Sequence, residues 1–250
     1  MLAASARAAA GALTFLTRIP LARRVILGGD DVARGSVLFP LVGAGVGALG
    51  GGVALLAAHS LSAFTAAALG CALTVLVTGA LHVDALADTA DAAGTSTRER
   101  ALEVMRDSRI GAFGATAIVL DLLVKVGALA TLVDRGGVLA AFVAAGALSR
   151  AAAPVLATWL PYPRATPGPG SVLTGRVSPI GAVAVAVLGI ALAVVAAGAG
   201  ALPLAGTAAG VTLLLGLVYR VWLGGATGDC LGAATELIET TVLVVAAGLA

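Results

Sequence analysis

The chain has 250 residues, 60% of them hydrophobic and 11% charged, with 15 Lys and Arg against 13 Asp and Glu for a formal net charge of +2. A soluble globular domain carries roughly one quarter charged residues, so water is not the principal solvent of this chain. A nearly balanced charge and an aromatic content of 4% also exclude a nucleic-acid surface, which needs a strong positive field and rings for bases to stack on.

The first 35 residues open with MLAASARAAAGALTFLTRIP. The apolar part is weak and runs into Arg18, Arg23 and Arg24, so it reads as a retained amphipathic helix at the membrane interface and not as a cleaved leader. Beyond it, stretches of about 20 apolar residues recur, the length a helix needs to cross roughly 30 Å of hydrocarbon. They are Val37–Ala58, Leu61–Leu81, Ile110–Val133, Val138–Leu160, Pro179–Gly198, Leu202–Val221 and Leu231–Ala250. The last is the least secure because it contains Glu236 and Glu239. The expectation is one all-α integral membrane domain, residues 1–250, with about seven spans. The Gly-rich run GAGVGALGGG in the first span is a packing face; no strand precedes it and no Lys-Ser/Thr follows it, as a phosphate loop would require.

Arginines orient the chain. With a cytoplasmic N-terminus, Arg7, Arg18, Arg23, Arg24, Arg34, Arg98, Arg100, Arg106, Arg109, Arg164, Arg176 and Arg220 fall inside and only Arg135 outside, the bias that membrane insertion follows. The long connections, residues 82–109 and the Pro/Gly-rich 161–178, lie on that same cytoplasmic side. Function is therefore sought there. Cys71 and Cys230 have no ligand spacing and read as small buried hydrophobes.

The strongest local signal is HVDALADTADAAG, His82 to Gly94. Asp84, Asp88 and Asp91 recur at i, i+4 and i+7, within about 60° of one another on a helix. Carboxylates so close either face water or share a cation, and hard oxygen donors that also reach substrate phosphates suit Mg²⁺. A solvated acidic helix end is the plain alternative. In TSTRERALEVMRDSRIGAFG, Thr95 or Ser96 caps a short helix that brings Glu103, Arg106 and Asp107 near Arg109. Arg106 and Arg109 suit a pyrophosphate, or simply mark the entrance of the next span. Gly111 and Gly114 let the backbone approach a ligand or a helix. Within the spans, Asp121 and Lys125 stand at i, i+4 and Arg150 four residues before Pro154, either as internal pairs or as a transport path. Asp229 and Glu236 lie on one helix side, completing the site or marking a helix entrance.

The blocks FLTRIP, GALHVDALADTADA, LEVMRDSRIGAFGATAIVLDLLVK, ALSRAAAPVL and GGATGDCLGAATEL, in this order over residues 15–237, resemble the cobalamin synthases, the adenosylcobinamide-GDP ribazoletransferases. The sequence departs from them at Ala80 and Ala85, where glycine is common. The resemblance implies a Mg²⁺-dependent, multi-pass enzyme of the cell membrane, its active site facing the cytoplasm. Such an enzyme joins adenosylcobinamide-GDP to α-ribazole or its 5′-phosphate and releases GMP. It implies metal ligands Asp84, Asp88 and Asp91, a proton-accepting carboxylate at Asp91 or Asp107, substrate contacts at Arg106, Ser108, Arg109 and Asp229, and association with other cobalamin-assembly enzymes. A phosphotransferase or prenyltransferase acting on a lipid pyrophosphate would show similar aspartates, and a small-solute transporter would account for the charges inside the spans.

Overall fold

The computed structural model describes residues 2–19, 27–166 and 168–250, and among them every long element is a helix. In chain order these are α1 (Leu2–Leu16), α2 (Gly29–Gly35), α3 (Phe39–Ala58), α4 (Ala63–Thr78), α5 (Leu81–Ala93), α6 (Arg98–Val104), α7 (Ala112–Arg135), α8 (Val138–Trp159), α9 (Pro179–Ala197), α10 (Ala201–Leu223) and α11 (Gly228–Leu249). Arg23 and Arg24 lie outside the described residues.

Five stretches of the described chain are long and apolar enough to cross a membrane, or six if α4 and α5 form one bent span. One of the five, Pro179–Leu223, is 45 residues long. As a single rod at 1.5 Å per residue it would be about twice as long as the hydrocarbon is thick. Instead it folds back at Gly198, whose φ is 56°, and both α9 and α10 lean on α8, where Ala186 and Ile190 share a cleft with Ala205, Ala208 and Thr212. Counted apart, these two helices restore the expectation of about seven spans.

The interior follows the distribution of small and charged residues. Phe142 and Gly146 of α8 meet Gly47 and Gly43 of α3 so closely that a β-carbon at either α3 glycine would strike the α8 backbone. The Gly-rich run is thus a helix-packing face, as small residues serve where van der Waals contact drives association in lipid. The segment judged least secure from sequence proves central. In α11, 78% of the apolar window is buried, the same share as in α8, against 17% for Pro179–Leu223.

Its glutamates explain why. Lys125 on α7 hydrogen-bonds Glu236 and lies 3.4 Å from Glu239, Arg150 on α8 pairs with Glu239, and Asp121 lies 3.7 Å from Lys125 while accepting from the Thr240 hydroxyl at 2.6 Å. All five charged side chains are buried. The i, i+4 pair of α7 is therefore one corner of a network that joins three helices, and intramembrane charge is tolerable because it is answered within the bundle.

At one end of the bundle the chain turns sideways. α4 stops at Gly79 and Ala80, both with left-handed φ (64° and 59°), and α5 departs at 87°. Gly79 suits this conformation for lack of a β-carbon, and a side chain there would also strike Arg18. α5 leaves the span as a helix with one acidic edge. α1 lies at this same end, tied to α2 by a two-point contact in which Arg7 donates to both carboxylate oxygens of Asp31, at 3.1 and 2.6 Å.

Candidate active site

The polar end gathers α5, α6, the 161–178 connection and the start of α11. Along α5 the buried edge is His82, Val83, Ala85, Leu86 and Ala87, which packs on α7 and α11, while Asp84 is exposed and Asp88 half-buried. The same periodicity that sinks the alanines and leucine aligns the aspartates on the opposite edge. α11 begins at Thr227, whose hydroxyl accepts from the Cys230 N–H at 3.2 Å, and this cap sets Asp229 in the first turn, facing α5. Asp88 stands in electrostatic range of Asp229, Asp84 and Asp91, and of one cation, Arg164.

The three aspartates expected to share one cation differ in their hydrogen-bond partners. Both oxygens of Asp91 are occupied, accepting from the backbone N–H of Gly111 at 2.7 Å and of Gly114 at 2.8 Å. Asp91 thereby caps the first turn of α7, whose own N-cap residue has no side chain to do so. A β-carbon at Gly111 or Gly114 would collide with the carboxylate; the close approach foreseen for these glycines is to Asp91, not to a ligand. Among the described residues no group of three His, Cys, Asp or Glu side chains is arranged to hold a metal. The remaining carboxylates, Asp84 and Asp88 on α5 with Asp229 opposite, still suit a divalent ion of the Mg²⁺ kind, which takes one or two carboxylates and completes its shell with water and phosphate oxygens.

Asp107, the other carboxylate expected to accept a proton, is committed elsewhere. Its oxygens accept from Arg109 Nε at 2.9 and 3.1 Å and Nη2 at 2.5 Å, and from the Arg109 backbone N–H at 3.1 Å. The Arg109 side chain, then its backbone N–H, holds the Asp107 carboxyl down to about 2, so it is a poor base near neutrality. Arg109 itself is 86% exposed, and Ser108 is exposed beside it. Arg106 donates to Thr166 Oγ1 at 2.7 Å, which ties α6 to the 161–178 connection. That helix starts one or two residues later than expected, with Thr97 as its cap, accepting from the Arg100 N–H at 3.2 Å.

Sequence reasoning passed over Arg164. Its side chain is 8% exposed, lies 3.6 Å from Asp229, and donates to the Leu102 carbonyl at 3.3 Å. Its Nε has no hydrogen-bond partner among the described residues. A buried guanidinium with a donor to spare, beside Asp229 and within electrostatic range of Asp88, suits a phosphate. The signal available in sequence was an arginine amid prolines and glycines, in a connection too long to be a plain turn.

A family profile described as cobalamin-5-phosphate synthase matches residues 8–247. The chain belongs to this family. It is accordingly an enzyme of cobalamin biosynthesis, and the acidic and basic blocks just described lie within the residues that match the cobalamin-5-phosphate synthase profile. Among its relatives, the adenosylcobinamide-GDP ribazoletransferase of Klebsiella pneumoniae (strain 342) is 39% identical over 241 residues, 93% of this chain and 96% of that protein. Those of Escherichia coli (strain K12) and Shigella flexneri are each 38% identical, over 242 and 241 residues, with the same coverage. No solved structure matches the chain.

Proposed function

We propose that this chain transfers the adenosylcobinamide-phosphate group of adenosylcobinamide-GDP to α-ribazole or α-ribazole 5′-phosphate, releasing GMP, at the α5–α11 carboxylates. The observation that carries this reading is the meeting of Asp84, Asp88 and Asp229 with Arg164 in a chain whose near relatives bear the name of that reaction. A ribazole ribose oxygen forms the new bond to the cobinamide-bound phosphorus. The bond from that phosphorus to the bridging oxygen breaks, and the oxygen leaves with GMP.

Phosphoryl transfer of this kind is mostly a matter of positioning and charge. Arg164, with its unengaged Nε, binds non-bridging phosphate oxygens, and Arg106, held by Thr166, extends the cationic edge. Asp229, which lines a cavity and accepts from the Thr227 hydroxyl at Oδ2 alone, takes the hydroxyl proton in place of Asp91 and Asp107, both of whose oxygens are engaged. Asp84 and Asp88 would hold a divalent cation, which when bound would offset the charge of the pyrophosphate. The arginine-rich end faces the cytoplasm of a cell membrane, in keeping with the positive-inside bias, and so meets two soluble substrates. Docking of other cobalamin-assembly enzymes would use the same face.

The test is purified protein in detergent or vesicles with adenosylcobinamide-GDP, α-ribazole and Mg²⁺. GMP should appear in step with the corrinoid product, and chelation by EDTA should stop it until Mg²⁺ is restored. Release of GMP that does not require α-ribazole, or turnover of a lipid pyrophosphate in its place, would overturn the assignment.

A further inference from the structure

We propose that the apolar cavity beside the carboxylates is the seat of the aromatic base of α-ribazole, an inference that rests on the function above. The cavity has a volume of about 220 Å³ and lies between α1, α3, α5, α8 and α11. A dry apolar cavity of about 150 Å³ holds a benzene ring. A substituted two-ring base therefore fits this one, and a corrin macrocycle does not.

The lining selects among the flat ring systems that the two substrates offer. Phe15 and Phe39 stand stacked at one wall, ring centroids 5.6 Å apart and 12° from parallel. Leu173 and Leu231 close the cavity with them, both buried. Away from the carboxylates of Asp84 and Asp229 at its mouth and the imidazole of His82, the polar side chains of the wall are spoken for. Arg150 pairs with Glu239 and donates to Ser149 Oγ at 2.9 Å, and the Thr235 hydroxyl donates to the Leu231 carbonyl at 3.0 Å. Guanine, with its ring of donors and acceptors, would enter at the cost of unmade hydrogen bonds. A dimethylbenzimidazole asks for one polar partner, for its free ring nitrogen, and His82 supplies an imidazole in the wall.

Position agrees with chemistry. Asp84 and Asp229 line the same cavity, and Asp84 is exposed where its neighbours are buried. A base held inside puts its ribose at the carboxylates, where the hydroxyl must lose a proton and meet phosphorus. The other large apolar clefts lack this neighbour: the one between α8, α9 and α10 contains no charged residue.

The experiment uses the intact protein and steady-state GMP release, with ribosides of benzimidazole, dimethylbenzimidazole and the longer naphthimidazole. Ala153→Leu, which fills the cavity, should raise KM for α-ribazole at least tenfold, leave KM for adenosylcobinamide-GDP unchanged, and spare the unsubstituted benzimidazole riboside. Leu173→Ala, which enlarges it, should improve use of the naphthimidazole riboside relative to α-ribazole. Binding of α-ribazole alone to the wild-type protein, read from the benzimidazole fluorescence, should shift the emission toward that of an apolar solvent, and guanosine should not compete; this readout stands even if a variant fails to fold. If the wild type releases GMP but both variants alter KM for adenosylcobinamide-GDP and not for α-ribazole, or guanosine displaces α-ribazole, the cavity assignment falls and the activity stands. If the wild type releases no GMP, the activity itself falls.

Discussion

Two groups of carboxylates in this protein look alike in sequence and differ in what surrounds them. Asp121, Glu236 and Glu239 lie within the bundle, each within reach of Lys125 or Arg150, so that three acids answer two bases in contact distance. Asp84, Asp88 and Asp229 lie at the polar end with Arg164 as the cation in reach of Asp88 and Asp229, and open space beside Asp84 and Asp229. A buried ion network in which every acid meets a base inside the bundle joins helices and has little left with which to bind. A like-charged cluster short of cations invites a cation from outside together with the phosphates it carries. The lesson is that counterions, and not the acids themselves, separate scaffold from site.

The comparison is broken most severely at the site. Asp84→Ala and Asp88→Ala should each lower the rate of GMP release by about 10³-fold, the order expected when one preorganised electrostatic group of a reaction centre is removed. Yield and thermal midpoint in detergent should stay at wild-type values. Asp91→Asn should behave in the opposite way, lowering the midpoint through the weakened α7 cap while turnover per folded molecule persists. Wild-type turnover in Asp88→Ala would remove Asp88 from the site, whereas turnover abolished in Asp91→Asn with the midpoint unmoved would restore the three-aspartate site that the hydrogen bonds of Asp91 argue against.

In the scaffold the effect should fall on folding. Glu236→Gln neutralises the closest of the three acids around Lys125 while Asp121 and Glu239 remain, so the cost should be at most the ~3–5 kcal/mol of a broken buried pair. A large drop in the thermal midpoint and in membrane yield should follow, with GMP release reduced only as far as the folded fraction is. A full-strength fold with altered solute uptake into vesicles would move these charges from scaffold to transport path.

Much of this was legible beforehand because the bilayer leaves so few choices. Runs of apolar residues separated by arginines are enough for the helices and for the end at which function gathers, and the i, i+4 spacing of Asp121 and Lys125 announced their pairing. Asp84, Asp88 and Asp229 were legible as carboxylates on helix faces. What escaped were the properties that depend on a third partner. The register that makes Asp91 meet the backbone of Gly111 and Gly114 is set by how α5 lies across α7, and no spacing within either segment encodes it. Arg164 became a site residue because the 161–178 connection returns over α6 and α11, a tertiary path with no periodic signature. Likewise α11 seemed marginal because its glutamates were read without the lysine and arginine from α7 and α8 that neutralise them.

The smallest effect concerns the joint between the two regions. Ala80 holds φ at 59° where α4 hands over to α5, and a residue with a β-carbon pays roughly 1–2 kcal/mol for that conformation. Glycine removes the penalty but gains freedom in the unfolded chain, which returns part of the benefit. The net gain from Ala80→Gly should be about 0.5–1 kcal/mol, seen as a small upward shift of the thermal midpoint. Because the joint sets the angle at which α5 presents Asp84 and Asp88 to Asp229, turnover sharpens the result. If the substitution only relieves strain, the midpoint rises and KM for both substrates stays put. A loss of turnover with an unchanged midpoint would mean that alanine's stiffness at this position is what keeps the carboxylates facing α11.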